Sequence, residues 1–171
     1  MKDFEQYDEA ISKQINDSNV KQLPLESWDF YGNYLQEVNE NILDVKQLTT
    51  LAEYNSWIMH WDIAKALEKS QTIVVTDLTV SIVFASQNMV KMNGYHRDEV
   101  LGKNPKIFQG NDTDAVALKE IKIAIQNRTA FENTIINYCK NGEPYNCHIK
   151  AFPIFNKKGI ISHFIAFEKT V

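Results

Sequence analysis

The side chains able to hold a ligand or move a proton lie mostly between residues 100 and 170. Asn104, Lys106 and Gln109 fall in one short stretch, Val100-Leu-Gly-Lys-Asn-Pro-Lys-Ile-Phe-Gln-Gly110. Asn137, Cys147 and Glu168 fall in three later extended runs. Amides donate and accept, so Gln109 and Asn137 could bond a ligand, and they equally suit closing a turn and bonding nearby backbone. Lys106 and Lys119 could share a phosphate or stay solvated. Glu168 sits in a run that must be central to a sheet. Buried there it would be held neutral; turned outward it would pair with a lysine. Cys139 and Cys147 on adjacent runs read as small apolar fillers, with no disulfide framework and no metal set. No phosphate-cradling glycine loop, nucleophile elbow or histidine-carboxylate metal spacing occurs, so nothing points to catalysis.

These residues need a scaffold, and the period of the sequence supplies one. From residue 71 the pattern becomes extended. Thr72 to Thr76 reads as a strand, Asp77 to Ser81 as a turn, and Ile82 to Ser86 as its partner. Gln87 to Met92 reads as a short helix, followed by one helical turn before Gly102. Asn104-Pro105 starts another short helix, because the residue before proline avoids the helical region and proline suits a first helical position. Asp112-Thr113 is expected to cap a longer helix ending at Asn127, with Val116, Leu118, Ile121, Ile123 and Ile125 partly buried. Three strands close the chain, at 130–140, 143–155 and 160–171, joined by turns at Asn141-Gly142 and at 156–159. Tight turns force antiparallel pairing. Five strands with helices gathered between the second and third give an α+β fold.

Before residue 71 the period is helical. One helix is expected over 1–20. A second starts at Ser27 as N-cap, with Phe30, Tyr31, Tyr34, Leu35 and Val38 on one face. Asn39-Glu-Asn41 interrupts it, and a third runs from about Leu43 to Glu68. Residues 1–70 hold 6 basic and 13 acidic side chains and residues 71–171 hold 12 and 9, within a total of −4. The acidic half and the lack of a dense basic stripe argue against nucleic acid. No window approaches the ~18 apolar residues of a membrane span. The polar start has no signal-peptide core, so a cytoplasmic protein is expected.

The second half resembles a PAS domain. The carriers are Ile73-Val-Val-Thr-Asp77, Ile82-Val-Phe-Ala-Ser86, Asn93-Gly-Tyr95 and Glu99-Val-Leu-Gly-Lys-Asn-Pro105. Phe108-Gln-Gly-Asn-Asp-Thr-Asp114, Ile136-Asn-Tyr-Cys-Lys-Asn-Gly142 and His163-Phe-Ile-Ala-Phe-Glu168 resemble its flavin-binding light-oxygen-voltage (LOV) branch. That branch carries its photoactive cysteine in a Gly-x-Asn-Cys-Arg-Phe-Leu-Gln word, and Gly102-Lys-Asn-Pro-Lys-Ile-Phe-Gln109 stands in its place. The resemblance implies that Asn104 and Gln109 are retained and that Pro105 replaces the cysteine. Lys106 replaces an arginine that would hold the flavin phosphate. Asn137 is the first of two asparagines facing the ring. Cys147 falls at the second if the hairpin has a three-residue loop, 141–143; a two-residue loop would bring Asn146 there instead. Glu168 stands where the signalling glutamine would be. Haem, a ligand of some PAS domains, is disfavoured because His60, His96, His148 and His163 all lie off the long helix.

The expectation is therefore a PAS fold: a five-stranded antiparallel sheet with short helices on one face. It spans residues 71–171 and follows an all-helical extension, 1–70, that covers the other face and takes part in a homodimer. The expected function is a non-catalytic, cytoplasmic sensory module working through ligand binding and protein contacts. Two alternatives stand beside it: a cysteine-less LOV-type sensor binding FMN, and a purely structural dimerisation unit. With the chain ending at the last strand, output is expected through residues 1–70 or a separate partner.

Overall fold

The computed structural model describes residues 26–171, so the helix expected over 1–20 lies outside the described residues. Residues 37–171 form one compact unit, and residues 1–36 belong to another. The first described element, α1, is a single 29-residue helix, Glu26–Tyr54. Two expectations are corrected here. Ser27 lies inside the first turn, and Asn39-Glu-Asn41 does not interrupt the helix. Asparagine costs a helix at most ~0.7 kcal/mol against alanine, and tertiary contacts from the same helix outweigh it. Leu48 and Ala52 are buried in the core, and Asp44 is 1% exposed. Asp44 accepts from the Gln87 amide at 2.7 Å and pairs with Arg97 Nη1 at 3.2 Å.

The expected third helix, 43–68, is split. At Tyr54 the chain leaves α1 through a left-handed Ser56 (φ 54°), whose amide bonds Glu53 O while Trp57 N bonds Ala52 O. Trp57 then bridges Asn156, and its ring N–H donates to Ser162 Oγ at 3.1 Å and to His163 Nδ1 at 3.2 Å. A short α2, Ile63–Glu68, follows, capped by Asp62 accepting from Lys65 N at 3.0 Å.

The sheet holds β1 (Thr72–Asp77), β2 (Ile82–Ala85), β3 (Phe131–Tyr138), β4 (Pro144–Phe155) and β5 (Ile161–Thr170). The order is β2-β1-β5-β4-β3, all neighbours antiparallel. Between β2 and β3 come α3 (Met89–Asn93), α4 (Arg97–Val100), a 3-10 turn (Pro105–Phe108) and α5 (Ala115–Asn127). This is the expected α+β, PAS-type arrangement. The cap of α5 is Asp114, accepting from Val116 N at 2.8 Å, not Asp112 or Thr113. Those two residues tie the preceding loop to β3 instead: Thr113 Oγ1 donates to Ile136 O at 2.6 Å, and Tyr138 Oη donates to Asp112 at 2.8 Å. Val116 and Ile123 are exposed, contrary to the expected partial burial.

Strand alternation sends Ile73, Val75, Ile154, Ile165 and Phe167 to one face. There they pack with Leu48, Ala52, Trp57, Ile63, Ala66 and Leu67. The end of α1, Trp57 and α2 thus cover the outer face, as the aromatic and aliphatic pattern before residue 71 requires. The inner face carries two further clusters. Val74, Met89, Val100 and Phe108 form one; Ala117, Ile135, Cys147, Ile149 and Ala151 form the other.

Candidate functional site

The 3-10 turn is fixed at both ends. Ile82 N donates to Lys103 O at 2.9 Å and Gly102 N to Ile82 O at 2.8 Å, which holds the loop against β2. Gly102 has φ 76°, a conformation that strains other residues. Asn104 is extended and its Oδ1 accepts from Lys106 N at 3.1 Å. Pro105 takes the first helical position, and Gln109 closes the turn through its amide to Lys106 O at 3.0 Å.

The last hairpin sets the opposite wall. Cys139 N donates to Glu143 O and Tyr138 pairs with Pro144, so the loop is 140–142. It has three residues but is shifted by one from the expected 141–143. Asn137 therefore faces Tyr145, not Cys147 or Asn146, and Cys147 faces Ile135. Glu143 is drawn into the ladder, and its side chain accepts from Asn141 at 2.9 Å.

Between the two inner clusters lies a cavity of about 840 Å³. Its wall is mostly apolar: Val74, Phe108, Leu118, Ile121, Phe131, Ile135, Ile149, Ala151, Phe164 and Ala166 contribute. Of the six residues expected from sequence, Asn104, Lys106, Gln109, Asn137 and Glu168 line it. Cys147 does not line it; the thiol is wholly buried behind the wall. Sequence reasoning missed Lys122, Gln126 and Arg128. Lys119, Lys122 and Gln126 recur at three- and four-residue steps on α5, which puts them on one face. That spacing was available to find them. None of Lys106, Lys119, Lys122 and Arg128 has a salt bridge among the described residues.

Two polar groups in the wall stand out. Asn137 is 3% exposed, and its Oδ1 has no hydrogen-bond partner. The Asn137 amide pulls the pKa of the neighbouring Tyr145 hydroxyl and Cys147 thiol down. Burial outweighs that help and leaves both groups well above their ordinary values. Glu168 is also inside, which settles its two readings against an outward lysine pair. Burial pushes its carboxyl up to about 7, with the Cys147 thiol, donating to Oε2 at 3.7 Å, pulling weakly the other way. An apolar chamber with an unsatisfied buried acceptor, a neutral-leaning carboxyl and an arc of cations suits an amphipathic heterocycle with an anionic tail. Within the described residues no helix is long and apolar enough to cross a membrane.

Known proteins agree with the architecture. The chain is 36% identical over 120 residues to Protein TWIN LOV 1 of Arabidopsis thaliana, covering 67% of this chain and 29% of that protein. It is 37% identical over 90 residues to a blue-light-activated histidine kinase of Brucella abortus, covering 53% and 18%. This chain thus spans less than a third of these curated relatives. Among solved structures, the LOV domain of the Erythrobacter litoralis blue-light-activated histidine kinase matches with a TM-score of 0.56 at 25% identity, covering 59% of this chain and 95% of that one. The light-state Aureochrome1 LOV structure matches at 0.57 and 29%, covering 63% and 87%. The PAS domain of the fruit-fly ELK potassium channel matches at 0.57 and 25%, covering 60% and 88%. The PAS-domain family model matches residues 70–169, more than half of the sequence, and with the observed strand order this places the chain in the PAS domain family.

Proposed function

We propose that this chain is a sensory signalling module whose cavity binds a flavin, FMN in preference to a flavin without phosphate. The carrying observation is the partnerless Asn137 Oδ1 in the wall of the 840 Å³ cavity. An unsatisfied buried acceptor costs about 1–3 kcal/mol, which a ring N–H would recover. The volume falls in the ~300–1,000 Å³ range of small-molecule sites. Asn137, Gln109 and Glu168 would hold the polar ring edge. Lys106, Lys119, Lys122 and Arg128 would hold the phosphate. A bound flavin supplies blue-light absorption and reversible reduction. The relatives' blue-light roles support this reading. The response proposed is redox or photoreduction without a thiol adduct, because Pro105 lines the cavity and neither Cys139 nor Cys147 does.

We also propose that output passes through protein contacts in the cytoplasm, with a second copy of this chain as partner. On α1, Tyr31, Tyr34, Leu35, Val38 and Ile42 are all exposed. Their three- and four-residue steps are those of a self-pairing helical seam. The flavin test is a titration of the purified chain with FMN, followed by quenching of flavin fluorescence. Quenching with a structured visible band supports the reading. Unquenched fluorescence at every ratio defeats it. Asn137→Leu is expected to weaken binding by about one to two decades.

A further inference from the structure

Among the described residues, four that are not glycine sit in the left-handed backbone region, and three of them, Ser56, Ser70 and Arg128, follow helix ends. The fourth is Val80, at φ 62°, in the turn between β1 and β2. A β-branched side chain is strained there, and glycine, asparagine or aspartate is the ordinary occupant. The turn holds Val80 in place all the same. Asp77 Oδ1 accepts from Thr79 N at 2.8 Å, from Thr79 Oγ1 at 2.7 Å and from Ser81 N at 2.9 Å. The Asp77 amide donates to Ser81 O at 2.9 Å, and the Val80 amide donates to Asp77 O at 3.1 Å.

Both apolar side chains of this turn, Leu78 and Val80, line the 840 Å³ cavity. Leu78 is 51% exposed, so it stands where the cavity meets solvent. Neither belongs to the three clusters that form the core, so the fold itself does not call for an apolar group at either position. Register sets what they can reach. Thr72 stands opposite Glu168 and Asp77 opposite His163, five residues along both strands, roughly 16 Å. Val74 and Thr76 of β1 line the cavity beside Phe164, Ala166 and Glu168 of β5, and Leu78 continues the β1 row by alternation. A flavin whose polar ring edge meets Asn137 and Glu168 would therefore direct its apolar, methylated edge along the strands toward the turn. We propose that Leu78 and Val80 are specificity-determining residues, an apolar clamp on the ring edge remote from Asn137 and Glu168. This rests on the flavin reading and specifies which part of the ligand the turn recognises. Asp77 is the positioning residue. Its three bonds keep Val80 in a conformation that a free turn would leave, so the clamp is set before the ligand arrives.

The test titrates the full chain with FMN and with lumiflavin, which has the same ring without sugar or phosphate, and reads the melting temperature without ligand. Leu78→Ala is expected to weaken both ligands by the same factor, about fivefold to tenfold. Val80→Gly is expected to weaken both by a similar factor while raising the ligand-free melting temperature by about 2–4 °C. The opposite signs separate a ligand contact from a structural role, because a residue kept for the fold alone would lose affinity only together with stability. Parental affinity in both variants, or a melting temperature that falls in Val80→Gly, overturns the clamp and leaves the flavin site standing. A loss confined to FMN overturns it too, since the contact would then be with the tail. A parent chain that binds neither ligand overturns the flavin reading and the clamp with it.

Discussion

Two carboxyl groups that folding removes from water, Asp44 and Glu168, answer burial differently. Burial pushes Asp44 from 3.8 up to about 6, with the Gln87 amide and then Arg97 pulling it back and Glu40 adding to the rise. Glu168 rises from 4.5 to about 7 with only the Cys147 thiol to oppose burial. Both folded values lie above the unfolded ones, so the folded state holds these protons more tightly. Their contribution is complete below about pH 4 and is lost as pH rises through 6 and 7. For Glu168 the difference amounts to about 3 kcal/mol. Urea unfolding at several pH values is expected to show Glu168→Gln losing less stability than the parent between pH 4.5 and 7. Parallel slopes for parent and variant would show that Glu168 is not held protonated. At the same scale, Gly110 touches the ring of Tyr138. A Cβ there would meet Cδ2 at 2.7 Å, and Cε2 more closely. The ring cannot swing away freely, because its hydroxyl is held by the Asp112 amide at 3.1 Å and the Asp112 carboxylate at 2.8 Å. Gly110→Ala should therefore destabilise by roughly 1–3 kcal/mol, measurable by thermal or urea unfolding. In a Tyr138→Ala background most of that loss should vanish.

The elements are closed by a repeated device that explains several sequence misreadings. α1, α2 and α5 each end on a residue in the left-handed region: Ser56, Ser70 and Arg128, at φ 54°, 55° and 58°. In each case that residue's amide bonds the carbonyl three back, and the next amide bonds the carbonyl five back. Glycine is the usual occupant of such a position, because side chains pay ~1–2 kcal/mol there. Ser70→Gly should accordingly stabilise by up to about 1 kcal/mol and raise the melting temperature; an unchanged or lowered temperature would refute the strain. Since serine and arginine carry no stop signal, the end of α1 at Tyr54 was not legible, and one helix was expected through Glu68. The opposite error came at Asn39-Glu-Asn41, where weak local propensity suggested a break that the buried Asp44, Leu48 and Ala52 override. Strands were legible for two reasons: β1 is a short β-branched run buried on both faces, and β4 alternates in burial across Cys147, Ile149 and Ala151. In the site, five of the six expected residues reach the cavity wall, but the hairpin register was not legible. The Asn141-Gly142 signal marks a turn, but it does not say whether Glu143 stays in the loop or joins the ladder. One residue of shift exchanged Cys147 for Tyr145 opposite Asn137.

At the scale of the molecule, the sheet has two apolar faces and solves each differently. The inner face encloses the cavity. The outer face depends on chain that precedes the first strand, through Leu48, Ala52, Trp57 and Ile63. Removing residues 1–65 would uncover Ile73, Val75, Phe84, Ile154 and Ile165 together, and a bare patch of that kind drives association. The truncated protein is expected to aggregate or change its oligomeric state. The exposed seam on α1 acts at a different level, since no residue in it supports the sheet. If it pairs two copies, light scattering of the intact protein should give twice 19.7 kDa per particle. Leu35→Asp with Ile42→Asp would place like charges face to face across the pair and should give single chains with an unchanged far-ultraviolet spectrum. The two experiments separate the roles of the region: the truncation attacks the cover of the sheet, and the double variant attacks only the seam. A truncated chain that stays soluble at the parent's mass would remove the cover from the account. A double variant that keeps the doubled mass would move the contact between copies elsewhere on the surface.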